Sequence, residues 1–441
     1  LAFGCAREEP PAPAKTEAPA AVAKAPAAPR AKPEAKATRP RKPLNVILIT
    51  IDALRADMPW AGYARDIAPN LTRLAKESVV FENHRATTSF TAQSVPAMLS
   101  GRLASTLYRS GYFFAGYSDA NEFFPEALQA NGKKTLAVHS HMYFNRGKGL
   151  NQGFSSWEMV PGISYNERTD EHVTSEKSTA LLQTLLADQK NTKPGFFAWA
   201  HYTDPHADYQ THSECKSFGS SQRDKYDNEV CYTDLHIGKF LSWAEKQPFW
   251  TETALIVSAD HGEAFGEHGL NEHAHELYEE LVRVPMLMRI PGVSPQRIQT
   301  AHSHLDLAPS IMDLMGEEPL AGFEGQSMLS EIDGKPAKER PIVLELAADN
   351  IQPARRAIIS GSFKLIRFGE KSGAPEKLFD LSADPAEKKD LAREQPEKLK
   401  EMRALLDSTF AKLPVVEPFG GMKLKGGGDA NGPKGPEVAK L

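Results

Sequence analysis

A nearly continuous apolar run, Asn45–Ile51, is bounded by Pro43 and Asp52. A run without polar alternation predicts a strand buried on both faces, as in a parallel sheet. Similar runs fall at 135–138, 196–202, 253–258 and 284–290. Helical patterns lie between them, at 172–189 and 226–243. Strands alternating with helices predict an α/β sandwich. From about residue 340 the rhythm changes, with short strands expected at 342–346, 356–360 and 364–368 and a helix over 396–410. That pattern predicts a small antiparallel subdomain packed on the main one.

Composition narrows the class. Of 441 residues, 41% are apolar, and 52 basic side chains face 57 acidic ones. The apolar fraction supports a sizeable core and excludes a wholly disordered chain. The slight negative charge excludes a strongly basic nucleic-acid binder, so no nucleic-acid partner is expected. No apolar stretch is long enough for a membrane-spanning helix. The first 43 residues are different: 14 Ala, 9 Pro, and 9 basic against 4 acidic residues. Such a mixture cannot bury a core and reads as an extended tether. The Gly/Lys-rich end, 413–441, reads as a disordered tail. The expected organisation is tether 1–43, catalytic domain 44–338, small C-terminal subdomain 339–412, and tail. Cys215 and Cys231 are spaced for a loop-closing disulfide of an oxidising compartment.

Candidate chemistry gathers past strand ends, where open α/β sheets bind ligands. One apolar run leads into Asp52, another into Asp260-His261-Gly262-Glu263. A carboxylate and a carboxylate–imidazole pair can share a divalent cation. Hydroxyls cluster at 87–94, ahead of a short helix expected to begin just after Thr91 because Pro96 is tolerated only near a helix start. A hydroxyl there faces free backbone N–H groups. His201 and Asp204-Pro205-His206 follow the 196–200 run, and His268 and His273 follow the 260–263 cluster. At the head of the tether, Leu1-Ala2-Phe3-Gly4-Cys5 resembles a bacterial lipobox. This implies an exported lipoprotein, periplasmic or outer-membrane-anchored, that touches the membrane only through a lipid on Cys5.

Together these pieces resemble the sulfatase family of the alkaline phosphatase superfamily over about 44–412. The resemblance rests on the strand ending at Asp52, the segment Thr91–Arg102 with Leu99-Ser100-Gly101-Arg102, Asp204-Pro205-His206, and Asp260-His261-Gly262-Glu263 with Gly266-Glu267-His268-Gly269. It is extended by Asp306-Leu307-Ala308-Pro309-Ser310 and Leu378-Phe379-Asp380-Leu381. It implies an alkaline phosphatase-like sandwich: a large mixed, mostly parallel sheet flanked by helices, with a small C-terminal antiparallel subdomain. It implies a metal held by Asp52, Thr91, Asp260 and His261, with Thr91, His206 and His273 catalytic. Ser94, His141, His201 and His268 are further candidates for substrate contact.

The departures carry information. Members of the family convert a Cys or Ser, within Cys/Ser-x-Pro-x-Arg, to formylglycine. Here Thr91 stands at that place, Gln93 at the Pro and Val95 at the Arg. Thr is not a substrate for the conversion, so no formylglycine is expected. Ala53 replaces the second Asp of the usual pair, and His139-Ser140-His141-Met142 replaces Gly-Lys-Trp-His. Thr at the nucleophile position resembles the superfamily's phosphoethanolamine and phosphoglycerol transferases and its nucleotide phosphodiesterases. The expectation is a metal-dependent hydrolase of phosphate or sulfate esters, phosphoester favoured, acting on a glycan, lipid head group or small molecule. Alternatives are a transferase of that type or a non-catalytic anion-binding protein. With one carboxylate fewer and an imidazole present, a single Mn²⁺ or Zn²⁺ is favoured over Ca²⁺ or Mg²⁺.

Overall fold

The structure, a computed structural model, describes residues 42–163, 173–193, 195–336 and 339–419. Cys5, most of the tether and the tail beyond Phe419 lie outside the described residues. The main sheet has eight strands: β1 (Asn45–Ile51), β2 (Val79–Phe81), β3 (Lys134–His139), β4 (Ser156–Met159), β5 (Phe196–Tyr202), β6 (Thr253–Ala259), β7 (Met286–Arg289) and β8 (Gln296–Ile298). Their order across the sheet is β8-β2-β7-β6-β1-β5-β3-β4. Only β7 runs antiparallel to its neighbours; every other pairing in this sheet is parallel. The expected α/β sandwich is therefore present, with one reversed strand. Three strands escape the sequence pattern (β2, β4 and β8) because three or four residues are too few to show a period.

Alternate residues of β1 feed two cores. Val46 and Leu48 face a cluster that takes in α2 (Thr91–Ser100), α3 (Phe124–Ala130) and α6 (Leu307–Leu314). Ile47, Ile49 and Ile51 face the other, with α1 (Pro69–Lys76), α4 (Ser175–Ala187) and α5 (Gln222–Ala244). Both faces being covered explains why β1 reads as apolar without alternation. A disulfide joins Cys215 to Cys231 on α5. Among the described residues no helix is long and apolar enough to cross a membrane.

The C-terminal region forms an antiparallel meander of β9 (Ile342–Leu346), β10 (Arg355–Ser360), β11 (Phe363–Arg367) and β12 (Glu376–Asp380), with α7 (Pro396–Phe410). One face packs Ile358, Leu365 and Leu378 under Met402 and Leu406 of α7. The other sends Leu344, Ile359, Ile366 and Phe379 into the α2-side core. At this junction Lys364 is fully buried, 3.0 Å from both Glu279 and Glu387, and Arg85 clamps Glu279 at 2.8 Å.

Register positions the site. Ile51 pairs with Tyr202 on one side and with Ala259 on the other. Asp52, Thr203 and Asp260 therefore leave the sheet at the same carboxyl edge.

Candidate active site

Asp52 and Asp260 are fully buried at that edge. The residue after Asp52, Ala53, takes φ = 56°, a left-handed conformation that is costly for a residue with a Cβ. It aims the Ala53 N–H at Asp260 Oδ1, 3.2 Å away, which also accepts from the His261 N–H at 3.0 Å. Asp260 Oδ2 and Asp52 Oδ1 have no hydrogen-bond partner. The other Asp52 oxygen accepts from His201 Nε2 at 3.2 Å. His201 is set by a chain: Trp199 Nε1 donates to Thr50 Oγ1 at 2.8 Å, and Thr50 lies 2.8 Å from His201 Nδ1. An indole can only donate. The Thr50 proton thus points to Nδ1 and leaves Nε2–H for Asp52. Burial alone would raise the Asp52 pKa, but His206, His201 and His261 together hold it well below the usual carboxylate range.

Thr91 is the first residue of α2, and the preceding Phe90 supplies no side-chain cap. The positive end of the helix dipole therefore stays open at Thr91. Pro96 sits inside this helix and has no N–H for the carbonyl four residues back. That carbonyl, Ala92 O, instead accepts from the hydroxyls of Tyr117 at 2.8 Å and Tyr143 at 3.3 Å. Gln93 makes a reciprocal amide pair with the backbone of Ala347, at 3.0 and 2.8 Å. These bonds fix the start of the helix. Thr91 Oγ1 comes to rest 2.9 Å from His261 Nε2. His261 Nδ1–H donates to Gly262 O at 2.9 Å, so Nε2 carries the lone pair and accepts from Thr91. Burial lowers the His261 pKa and keeps the ring neutral.

Asp52, Asp260 and His261 offer ligand atoms that all lie within 4.8 Å of one another. Two orphaned carboxylate oxygens and an imidazole lone pair, all buried, suit a divalent cation; without one the oxygens are costly to desolvate. A second trio, Asp52 with His141 and His206, meets the same distance limit. Its tautomers differ. His206 Nδ1–H donates to Ala207 O at 2.8 Å, leaving a lone pair on Nε2. His141 Nδ1 accepts from the Tyr143 N–H at 3.1 Å, which places its proton on Nε2 and makes it a donor.

His273 lies above this floor, its ring 4.2 Å from that of His261 and 4.8 Å from that of His206. Burial opposes its charge, yet Glu263 at 3.1 Å raises its pKa to about 9. It is therefore an imidazolium at neutral pH. Glu263 is itself buried and accepts from Tyr209 Oη at 2.8 Å.

The structure thus brings Asp52, Thr91, His141, His201, His206, Asp260, His261 and His273 into one cluster. Three of the residues expected to touch substrate find other partners. His201 is fully buried, its two ring nitrogens taken by Thr50 and Asp52. Ser94 is fully buried beneath the site and donates to Asp260 O at 2.6 Å, because the third residue after Thr91 turns back towards the sheet. His268 bonds Glu280 at 2.7 Å and Glu387 O at 3.1 Å, and stacks on Tyr278, so it pins the C-terminal region. Asp204 caps α4 through the N–H groups of Thr174 and Ser175. His302 pairs with Glu331. The pattern of the sequence does not mark Thr50, Trp199 or Tyr209. Glu263 alone among the supporting residues carries a signal, as the last residue of Asp260-His261-Gly262-Glu263.

The family model described as Sulfatase matches residues 44–317, and that of the N-sulphoglucosamine sulphohydrolase C-terminal region matches 266–414. A choline-sulfatase of Rhizobium meliloti is 23% identical, with 79% of this chain and 82% of that protein covered. An ulvan-active sulfatase of Formosa agariphila is 24% identical, covering 85% and 82%. Among solved structures, a 2-O GAG sulfatase superposes with a TM-score of 0.71 at 19% identity, covering 84% of this chain and 92% of that one. A phosphonate monoester hydrolase from Silicibacter pomeroyi does so at 0.67 and 18%, covering 84% and 96%. The chain belongs to the sulfatase family and is a hydrolase of that family.

Proposed function

We propose that the chain is a metal-dependent hydrolase of anionic esters with Thr91 as nucleophile, and that phosphoesters are its preferred substrates. One observation carries the reading: Thr91 Oγ1 stands 2.9 Å from His261 Nε2 at the open end of α2, beside two orphaned carboxylate oxygens. Asp52, Asp260, His261 and Thr91 would hold one divalent ion, Mn²⁺ or Zn²⁺ in preference to Ca²⁺. When bound, such an ion would supply positive charge beside Thr91 Oγ1; the hydroxyl would release its proton to solvent, and the open end of α2 would stabilise the oxygen left behind. Thr91 Oγ1 then bonds to phosphorus while the bond to the leaving oxygen breaks. The His273 imidazolium gives that oxygen its proton. Water next bonds to phosphorus, losing a proton to His206, while the bond from phosphorus to Thr91 Oγ1 breaks and that oxygen takes a proton from solvent; His206 then gives up its proton and His273 regains one by exchange with solvent. The α2 N-terminus and His141 Nε2–H bind the anionic oxygens throughout.

Threonine cannot be converted to formylglycine, which supports the phosphoester preference. Sulfate esters are the second reading, supported by the chemistry of the relatives. We further propose that the tether carries a lipid on Cys5 and holds an exported enzyme at a bacterial membrane. A Cys5→Ser variant should then move from the membrane to the soluble fraction. Turnover of matched aryl sulfate, phosphate monoester and phosphate diester, with metals restored after chelation, tests the activity. Metal-dependent cleavage of a phosphoester without sulfate cleavage is the expected result. Sulfate cleavage alone would overturn the phosphoester preference.

A further inference from the structure

The segment 203–220, between β5 and α5, contains no helix or strand, yet it brings two groups to the site. His206 shares a 4.8 Å set with Asp52 and His141, and its ring lies 4.8 Å from that of His273. Tyr209 Oη donates to Glu263 at 2.8 Å, and Glu263 in turn holds His273 at 3.1 Å. The near end of the segment is fixed by Asp204 on α4. The rest is held by about one turn of α5, from Asn228 to Tyr232. Buried Glu229 accepts from the Gln210 N–H and from the His212 ring, each at 2.6 Å. Asn228 Oδ1 accepts from the His212 N–H at 2.6 Å, and the Asn228 amide donates to Lys216 O at 3.1 Å. The His212 ring stacks on Tyr232, centroids 3.9 Å apart. The Cys215–Cys231 disulfide completes the clasp. A segment without a backbone ladder of its own keeps its shape through such outside contacts.

We propose that this clasp is a positioning device for the reaction. Glu229 and the disulfide aim His206 directly, and His273 through Tyr209 and Glu263, so full turnover requires the Cys215–Cys231 bond. The enzyme is slow while these cysteines are thiols and reaches its full rate on oxidation. The proposal rests on His206 and His273 being the proton carriers of the Thr91 site.

Cys231 is partly exposed, which gives a small dithiol access to the bridge. A thiolate of the reagent bonds to one sulfur, and the other sulfur leaves. The second thiol of the reagent then displaces the first cysteine. The cysteines together gain two electrons and two protons, and the reagent becomes a cyclic disulfide.

The test uses the full chain carrying Cys5→Ser, which leaves Cys215 and Cys231 as the only cysteines. It is assayed oxidised, and again after reduction with dithiothreitol, removal of the reagent and reloading with Mn²⁺. The substrates are aryl esters, phosphate or sulfate according to the chain's own preference, with a phenoxide or a 4-nitrophenoxide leaving group. Reduction is expected to lower kcat at least about tenfold for phenoxide, which needs the His273 proton, and less for 4-nitrophenoxide, which does not. An unfolded fraction would lower both equally. Hydrogen exchange is expected to quicken over 204–216 and to stay as it was over 91–100. Oxidised glutathione should restore the rate. Glu229→Gln, with the disulfide intact, is expected to give the same unequal loss. Unchanged kcat in protein shown by mass spectrometry to be reduced would overturn the proposal. So would an equal loss for both leaving groups, faster exchange throughout the chain, or Glu229→Gln at the parent rate. Failure of the Thr91 reading is separate: it would appear as full ester turnover by Thr91→Ala, with the redox dependence of exchange over 204–216 unaltered.

Discussion

At the scale of single residues, the site is a set of donors and lone pairs whose directions are fixed by neighbours. Thr91→Ala should lower turnover by at least about 10³-fold without unfolding the chain, because Thr91 caps no structure of its own. Retention of activity in an initial-rate assay would remove Thr91 from the mechanism. Asp260→Asn should abolish metal-induced stabilisation: at a thousandfold excess over Kd a bound ion adds about 4 kcal/mol to the wild type, readable as a rise in Tm that the variant lacks. An equal rise in the variant would place the ion elsewhere. Asp52, Asp260 and His261 were legible in the sequence because they stand where apolar strands end. The Trp199–Thr50–His201 relay was not, since its members sit inside strands where a hydroxyl or an indole reads as filler. Ser94 looked like part of the hydroxyl cluster, and nothing in sequence reveals that its side chain points under the site.

At the scale of elements, α2 depends on the bonds that replace the one Pro96 cannot make. Tyr117→Phe leaves Ala92 O with only the 3.3 Å contact from Tyr143 and should cost about 1 kcal/mol in denaturant unfolding. No change would mean that Tyr143 alone satisfies the carbonyl. A second element-level coupling joins the 302–306 turn to Glu331. Burial works against the His302 charge, but Asp306 and Glu331 raise its pKa above the ordinary 6.5. The proton is thus held more tightly in the folded state. The stabilisation is complete below pH 6.5 and is lost as pH rises through the folded value. His302→Gln should therefore flatten the fall in stability above pH 6.5, and an unchanged profile would refute the pairing. The long apolar strands and amphipathic helices were readable from period alone. The reversed direction of β7 was not, because a buried strand looks the same in either sense.

At the scale of the whole molecule, the C-terminal sheet is part of one body with the main domain. Its inner face completes the α2-side core, and Lys364 reaches from β11 into a buried carboxylate pair. Removing one partner of a buried ion cluster leaves uncompensated charge, so Lys364→Met should cost about 3 kcal/mol or more. A loss below about 1 kcal/mol would show that the junction does not couple the two parts. The change of rhythm near residue 340 marked this region in the sequence. Its burial against the catalytic half depends on Glu279 and Glu387, and the Lys364–Glu279 pairing spans too much chain to be read from pattern.

That Thr91 carries the transferred group is the central claim. The most direct measurement is peptide mass spectrometry of metal-loaded enzyme acid-quenched during turnover of an aryl phosphodiester. A phosphoryl ester on Thr91, absent after chelation of the metal, is the predicted result. A covalent ester on Ser94, or rapid turnover with the Thr91 peptide unmodified at every quench time, would contradict it.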